Sequence, residues 1–272
     1  MKRVSRKRRI IGLSLLAGIP VLLCACADRL IFLPPEATYG KSERVLMIPT
    51  ANGEKIAAFY LPPAGDNPVV IFSHGNAEDI GCLFDFVRLY NEYGFGVLAY
   101  DYRGYGQSEG RPSERNAYAD IEAVFQYLLR TEKIPPSRMI AHGRSVGSGP
   151  SVWLAVRHPV GGLILESPFV SIFRVVTRWP IIPFDKFNNL SRMRHVRCPV
   201  LIIHGQADHI IPFWHGKALY EAAGDPKMHY WVPGAGHNDL LDYAGEQYWQ
   251  TLETFITLTS DASGRLPVAP SS

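Results

Sequence analysis

The pentapeptide Gly143-Arg144-Ser145-Val146-Gly147 constrains this chain more than any other stretch. It follows residues 138–142, which read as a short strand, and precedes residues 148–155, which read as the start of a helix. A serine with a glycine two residues to either side, at a strand-to-helix joint, has the pattern of a nucleophile elbow. The turn is so tight that its flanks leave no room for a side chain, a demand that glycine meets. The serine hydroxyl then stands clear of the sheet. The first amides of the next helix face the same space, where negative charge is favoured. Alone, the pentapeptide also fits an ordinary glycine-rich turn. Its weight depends on partners elsewhere in the chain: a base, an acid that orients the base, and donors for an oxyanion.

Strand patterns recur at 44–49, 55–61, 69–72, 96–100, 138–142, 162–165, 200–203 and 229–232. Helical patterns lie at 80–93, 113–130, 214–223 and 240–258, besides the one that follows the elbow. The run 69–72 is apolar throughout, as suits a strand covered on both faces. Ala51-Asn52-Gly53 reads as the turn of a hairpin between the first two strands. Ser113, with Asn116 three residues on, caps the long helix. Strands alternating with helices imply an α/β fold, with a mostly parallel sheet, helices on both faces and an antiparallel edge from the hairpin. The domain is expected to span 44–259, with a linker at 28–43 and a disordered tail at 260–272.

The net charge of +3 hides a division. Residues 1–9 carry six basic groups and no acid, which leaves 22 basic against 25 acidic residues in the rest, a net −3. A mildly acidic body argues against a nucleic-acid partner. Residues 10–27 are uncharged and largely apolar, so residues 1–27 read as a signal or anchor. Three readings stay open: a cleaved secretory signal, an uncleaved anchor at the lower length limit for spanning, and a lipoprotein signal. Leu23-Cys24-Ala25-Cys26 resembles a lipobox and favours Cys26 as the lipidated residue, although Cys24 departs from the usual pattern. In each case the catalytic body is exported, to the periplasmic or extracytoplasmic side in a bacterium, and meets the membrane through its N-terminal segment.

The missing partners lie where an open parallel sheet would put them, past the carboxyl ends of its strands. Asp208 follows the strand ending at 203, and His237 follows the last strand. His237 would take the Ser145 proton, and Asp208 would hold the imidazole tautomer. Oxyanion donors are expected from the amide of Val146, just after the serine, and from the loop Ser73-His74-Gly75-Asn76-Ala77. Within that loop the Asn76 amide is the expected donor, with Ala77 the competitor.

Other chemistry-bearing residues receive plainer readings. Arg103, in Asp101-Tyr102-Arg103-Gly104, reads as a structural ion pair that holds its loop. Glu166 ends a strand and is a weaker alternative to Asp208. His204, Asp208 and His209 match no zinc spacing, so neither metal nor cofactor is expected. Cys82 and Cys198 fall at opposite rims of the sheet and read as unpaired small core residues. Between 170 and 197 a short cap is rich in large apolar groups, and Trp179 is the candidate for an acyl-binding groove. No feature of the sequence sets an oligomeric state.

From residue 44 to about 259 the chain resembles the α/β-hydrolase superfamily. The order Ser145, Asp208, His237 is that of this superfamily. Ser73-His74-Gly75-Asn76-Ala77-Glu78-Asp79, Asp101-Tyr102-Arg103-Gly104, Gly143-Arg144-Ser145, Ser167-Pro168-Phe169 and Gly236-His237-Asn238-Asp239 look like the group that holds eukaryotic protein depalmitoylases and their bacterial relatives. The resemblance implies an α/β-hydrolase fold with a short cap. It implies a serine hydrolase of the carboxylesterase or thioesterase kind, acting on acyl esters or thioesters. A serine peptidase of the same fold is the alternative.

Overall fold

The computed structural model describes residues 28–40, 44–179 and 185–262, with the backbone alone at 260–262. The basic start, the apolar run, Cys26 and nearly all of the tail lie outside the described residues.

A helical stretch, α1, is described at 28–31. The hairpin β1 (Val45–Pro49) and β2 (Lys55–Leu61) comes next, then β3 (Val69–Ser73), α2 (Phe84–Glu92), β4 (Gly96–Tyr100) and α3 (Glu114–Arg130). The elbow region is β5 (Met139–Arg144) and α4 (Ser148–Arg157), followed by β6 (Gly162–Glu166). The cap holds α5 (Ile172–Val176) and α6 (Asn189–Met193). β7 (Val200–Gly205), α7 (Trp214–Ala222), β8 (Lys227–Val232), α8 (Leu240–Ala244) and α9 (Glu246–Ala262) complete the chain.

The strands form one sheet in the order β1-β2-β4-β3-β5-β6-β7-β8. β2 runs antiparallel to both β1 and β4, and all other neighbours are parallel. The chain steps from β3 outward to β4, then crosses back to place β5 on the other side of β3. Strand order therefore reverses between β3 and β5, and a crevice opens beyond their carboxyl ends. Ser73 pairs with Gly143 there, so the loop after β3 and the elbow after β5 start side by side.

Alternation along the strands splits the core into two layers. Val69, Ile71 and Leu98 face a layer with Ile121, Val124 and Leu128 of α3 and Val152 of α4. Val70, Phe72 and Val97 face the opposite layer, with Val87 and Tyr90 of α2 and Leu252 and Phe255 of α9. Each such fully buried side chain stabilises the fold by about 1.5–3 kcal/mol. An aspartate at Ile71 would bury an unpaired charge in the middle of the sheet.

Four expectations change. Residues 80–93 are not one helix: a 3-10 turn, Ile80–Leu83, precedes α2. That turn buries Ile80 and Leu83 and leaves Cys82 exposed rather than in the core; Cys82 and Cys198 are both unpaired. The segment 240–258 breaks at Gly245, whose φ of 51° ends α8 before α9 begins. The stretch read as a linker is packed onto the domain. Ile31 and Phe32 are buried in the core, and Phe32 makes edge contacts with Tyr102, Tyr105 and Phe187. Tyr39 donates its hydroxyl to Asp101, and the Thr38 amide donates to Asp79 at 2.6 Å.

Candidate active site

The elbow has the strain its glycines imply. Ser145 has φ of 51°, a left-handed conformation that non-glycine residues rarely adopt and that costs on the order of 1–3 kcal/mol. A Cβ on Gly143 would lie 2.3 Å from the Gly147 carbonyl oxygen, and one on Gly147 would lie 2.0 Å from the Ser73 oxygen. Glycine at both positions lets β3, β5 and α4 close around the serine.

Three strand ends deliver three side chains to one place. His237 Nε2 lies 3.1 Å from Ser145 Oγ, and His237 Nδ1 lies 2.8 Å from Asp208 Oδ2. The second Asp208 oxygen accepts the amides of Ile210 at 2.9 Å and Ile211 at 2.7 Å, which fixes the carboxylate plane. His204 Nε2 is 3.4 Å from Asp208 Oδ2 and 2.9 Å from the Ile211 carbonyl. Burial pushes the Asp208 pKa up, but hydrogen bonds from His204, His237 and the Ile211 amide outweigh it and hold the carboxyl well below the usual range. The group facing the imidazole is thus an anion at neutral pH. It orients the ring with Nδ1 protonated and leaves Nε2 free to accept a proton from the serine.

Ser145 and His237 open into a cavity of about 480 Å³. Asn76 and Val146 line it, so the two residues named as oxyanion donors share the space with the nucleophile. The Asn76 side chain is occupied elsewhere. Its Oδ1 accepts from the Leu33 amide at 2.9 Å, the Tyr105 hydroxyl at 2.7 Å and the Ala77 amide at 3.1 Å, and its Nδ2 donates to the Ile31 carbonyl. Asn76 therefore staples the N-terminal strap to the loop after β3. Ala77, with φ of 57°, carries the bend.

One wall of the cavity is apolar, formed by Ile31, Phe169, Ile172, Val175, Ile211 and Leu240. The lining also holds an ionic group, Glu78, Arg144 and Glu166. Arg144 Nε donates to Glu166 at 2.8 Å, and its Nη1 is 3.6 Å from Glu78, whose carboxylate also accepts the Gly75 amide at 3.3 Å. The guanidinium lies over the rings of Phe72 and Phe86. Tyr248 donates to the other Glu166 oxygen at 2.8 Å. Burial raises the Glu166 pKa, but Arg144 foremost, with His142 and Tyr248, brings it down to about 2. Glu166 is thus an ion-pair partner and makes no contact with His237, so its reading as an alternative acid is withdrawn. Arg144 and Glu78 escaped the reading of the sequence. The signal was there: an arginine between the elbow glycine and serine has little room to reach solvent.

Arg103 is the structural ion pair expected. Its Nε donates to Asp120 at 2.6 Å and its Nη1 to Glu54 at 2.8 Å, which ties α3 to the β1–β2 turn. Trp179 is a correction. It is exposed and is absent from the cavity wall, lying three residues beyond the end of α5 at Val176. Ile172 and Val175, on the turn before, line the cavity instead.

Residues 66–190 match the family described as serine aminopeptidase, S33. The human alpha/beta hydrolase domain-containing protein 17B is 37% identical, over 85% of this chain and 90% of its own length. The Caenorhabditis elegans alpha/beta hydrolase domain-containing protein aho-3 is 34% identical, over 89% of this chain and 81% of its own. Among solved structures, an esterase of Pyrococcus furiosus superposes with a TM-score of 0.71 at 16% identity, covering 84% of this chain and 97% of that one. A puromycin-hydrolyzing peptidase of Mycobacterium tuberculosis superposes with a TM-score of 0.68 at 19% identity, covering 83% of this chain and 40% of that one. At such identity these two speak for the fold alone. The sequence relatives, matched over most of both chains, carry more: the protein is a serine hydrolase of the α/β-hydrolase superfamily and belongs with the alpha/beta hydrolase domain-containing proteins.

Proposed function

We propose that this hydrolase is tethered to a membrane by residues 1–27 and cleaves acyl esters or thioesters through an acyl-enzyme. The observation that carries the reading is the hydrogen-bonded chain Ser145–His237–Asp208 opening into a cavity with an apolar wall. His237 Nε2 takes the Ser145 proton as Oγ attacks the substrate carbonyl carbon. The amides of Val146 and Asn76 receive the oxyanion. On collapse the C–O or C–S bond breaks, and His237 hands its proton to the departing alkoxide or thiolate. Water then repeats the sequence and releases the acid and the free serine.

The acyl chain lies against Ile172, Val175 and Ile211, and the polar leaving group sits toward Glu78 and Arg144. A cavity of about 480 Å³ falls within the roughly 300–1,000 Å³ of small-molecule sites. The tether is a lipid on Cys26 of a chain processed to begin at that residue, with the uncleaved apolar run 10–27 as the competing form. Among the described residues no helix is long and apolar enough to cross a membrane. The body is then carried on the exported side.

The description of the matched family as a serine aminopeptidase favours a second reading, cleavage of aminoacyl amides by the same residues. A panel of acetyl and medium-chain acyl esters, acyl thioesters and aminoacyl amides, run with the wild type and Ser145→Ala, separates the two. We expect medium-chain acyl substrates to turn over fastest and Ser145→Ala to lose on the order of 10³-fold or more. Efficient aminoacyl-amide cleavage with negligible ester cleavage would replace the first reading by the second.

A further inference from the structure

The candidate pocket opens among exposed apolar side chains that the fold does not use. Leu30 is 73% exposed, Leu33 55%, Val176 88%, Trp179 70% and Ile210 55%. Four of them sit on or beside residues that line the cavity, and Trp179 follows three residues after Val176. Ile210 itself lines the cavity, Leu30 and Leu33 bracket the wall residue Ile31, and Val176 follows the wall residue Val175. The strap and the cap that carry most of them are clamped together by Lys186 Nζ on Asp28 at 2.7 Å. Two exposed cations, Arg29 and Arg178, stand next in the chain to Leu30 and Trp179. Apolar groups flanked by arginines, with a tryptophan among them, match a lipid interface, where the side chains meet acyl chains and the cations meet phosphates.

The chain before residue 28 brings that interface to the pocket. The uncharged run 10–27 ends one residue before Asp28, and Ile31 is four residues beyond Ala27. A chain spans at most ~3.6 Å per residue, so Ile31 lies within roughly 14 Å of the end of the run. Attachment through a lipid on Cys26 adds one residue to that bound. A pocket wall held this close to a membrane-inserted segment cannot stand away from the bilayer.

We propose that the pocket rim is a lipid-docking surface, through which the acyl chain of a bilayer-held substrate passes into the cavity without crossing water. This rests on the tethering reading above and adds the orientation of the mouth. Trp179, removed from the acyl groove by the structure, becomes a membrane contact.

The test uses the full chain in vesicles of phosphatidylcholine, a fraction of it brominated on the acyl chains. Three proteins are compared: the wild type, Trp179→Phe, and the triple variant Leu30→Ser, Val176→Ser, Trp179→Ser. Flotation reports tethering. The wild-type fluorescence minus that of Trp179→Phe reports contact of Trp179 with lipid and needs no catalysis. Hydrolysis of a long-chain thioester embedded in the vesicles is compared with that of a water-soluble short-chain ester. We expect all three proteins to float and the Trp179 signal to be quenched at least twofold. The triple variant should keep the short-chain rate within twofold and lose at least tenfold on the embedded thioester. Flotation with an unquenched Trp179 and an undiminished embedded rate would overturn the docking and leave the tether standing. Failure of the wild type to float would remove both.

Discussion

The staple formed by Asn76 makes a prediction that separates its side chain from its backbone. Asn76→Ala keeps the amide proposed as oxyanion donor and removes the groups that hold its residue in place. Four hydrogen bonds disappear, but they do not count equally. The Ala77 amide is a local partner, and the Leu33 amide keeps the Tyr105 hydroxyl at 2.9 Å. The bonds from the Tyr105 hydroxyl and to the Ile31 carbonyl have no replacement in the fold. At about 1 kcal/mol net each, the variant should be about 2 kcal/mol less stable, which lowers Tm by about 4–8 °C in a chain of this size. Loss of an oxyanion donor outright costs roughly 10²–10³ in kcat. A donor retained but loosened should cost about tenfold, with KM changed less than twofold. Calorimetry and steady-state kinetics on one short-chain ester give both numbers. A Tm and kcat equal to wild type would refute the staple. A normal Tm with kcat reduced by 10³ would mean that the side chain itself is the donor.

Asp208→Asn should preserve the fold and lower kcat by about 10³–10⁴-fold at neutral pH, because the amide favours the wrong imidazole tautomer; circular dichroism alongside ester kinetics checks both halves. Ile172→Ala removes apolar wall surface and should reduce the preference for medium-chain over acetyl esters, at about 0.8 kcal/mol, roughly fourfold, for each substrate methylene left uncovered. Glu166 makes the acid limb of stability testable. Its folded pKa of about 2 lies below the ordinary 4.5, so its contribution is full above about pH 4.5 and is lost as pH falls toward 2. Unfolding followed by denaturant between pH 2 and 5 should show a shallower slope in Glu166→Gln than in the wild type.

Much of this molecule was legible because its demands are local. The elbow needs glycines at 143 and 147, and the buried strands need continuous apolar runs, so both stand out in the sequence. Asp208 and His237 were found because topology says where to look: past the ends of β7 and β8. What was missed depends on single long-range contacts. The strap at 28–40 has no periodicity, since it is held by two buried side chains, Ile31 and Phe32, and by bonds to Asn76, Asp79 and Asp101. Trp179 was misplaced because an apolar stripe gives no direction once the helix that carries it has ended at Val176. The Glu78–Arg144–Glu166 chain was hidden because its members come from the loop after β3 and from the ends of β5 and β6, which the sheet alone brings together.

The central claim is that Ser145 is a nucleophile activated by His237. A fluorophosphonate reacts with such a serine and leaves a phosphonyl adduct of known mass. Peptide mapping of the labelled wild type should place the adduct on Ser145. Labelling should fall by about 10³-fold in His237→Ala with the fold intact. An adduct on another residue, or undiminished labelling in His237→Ala, would contradict the account.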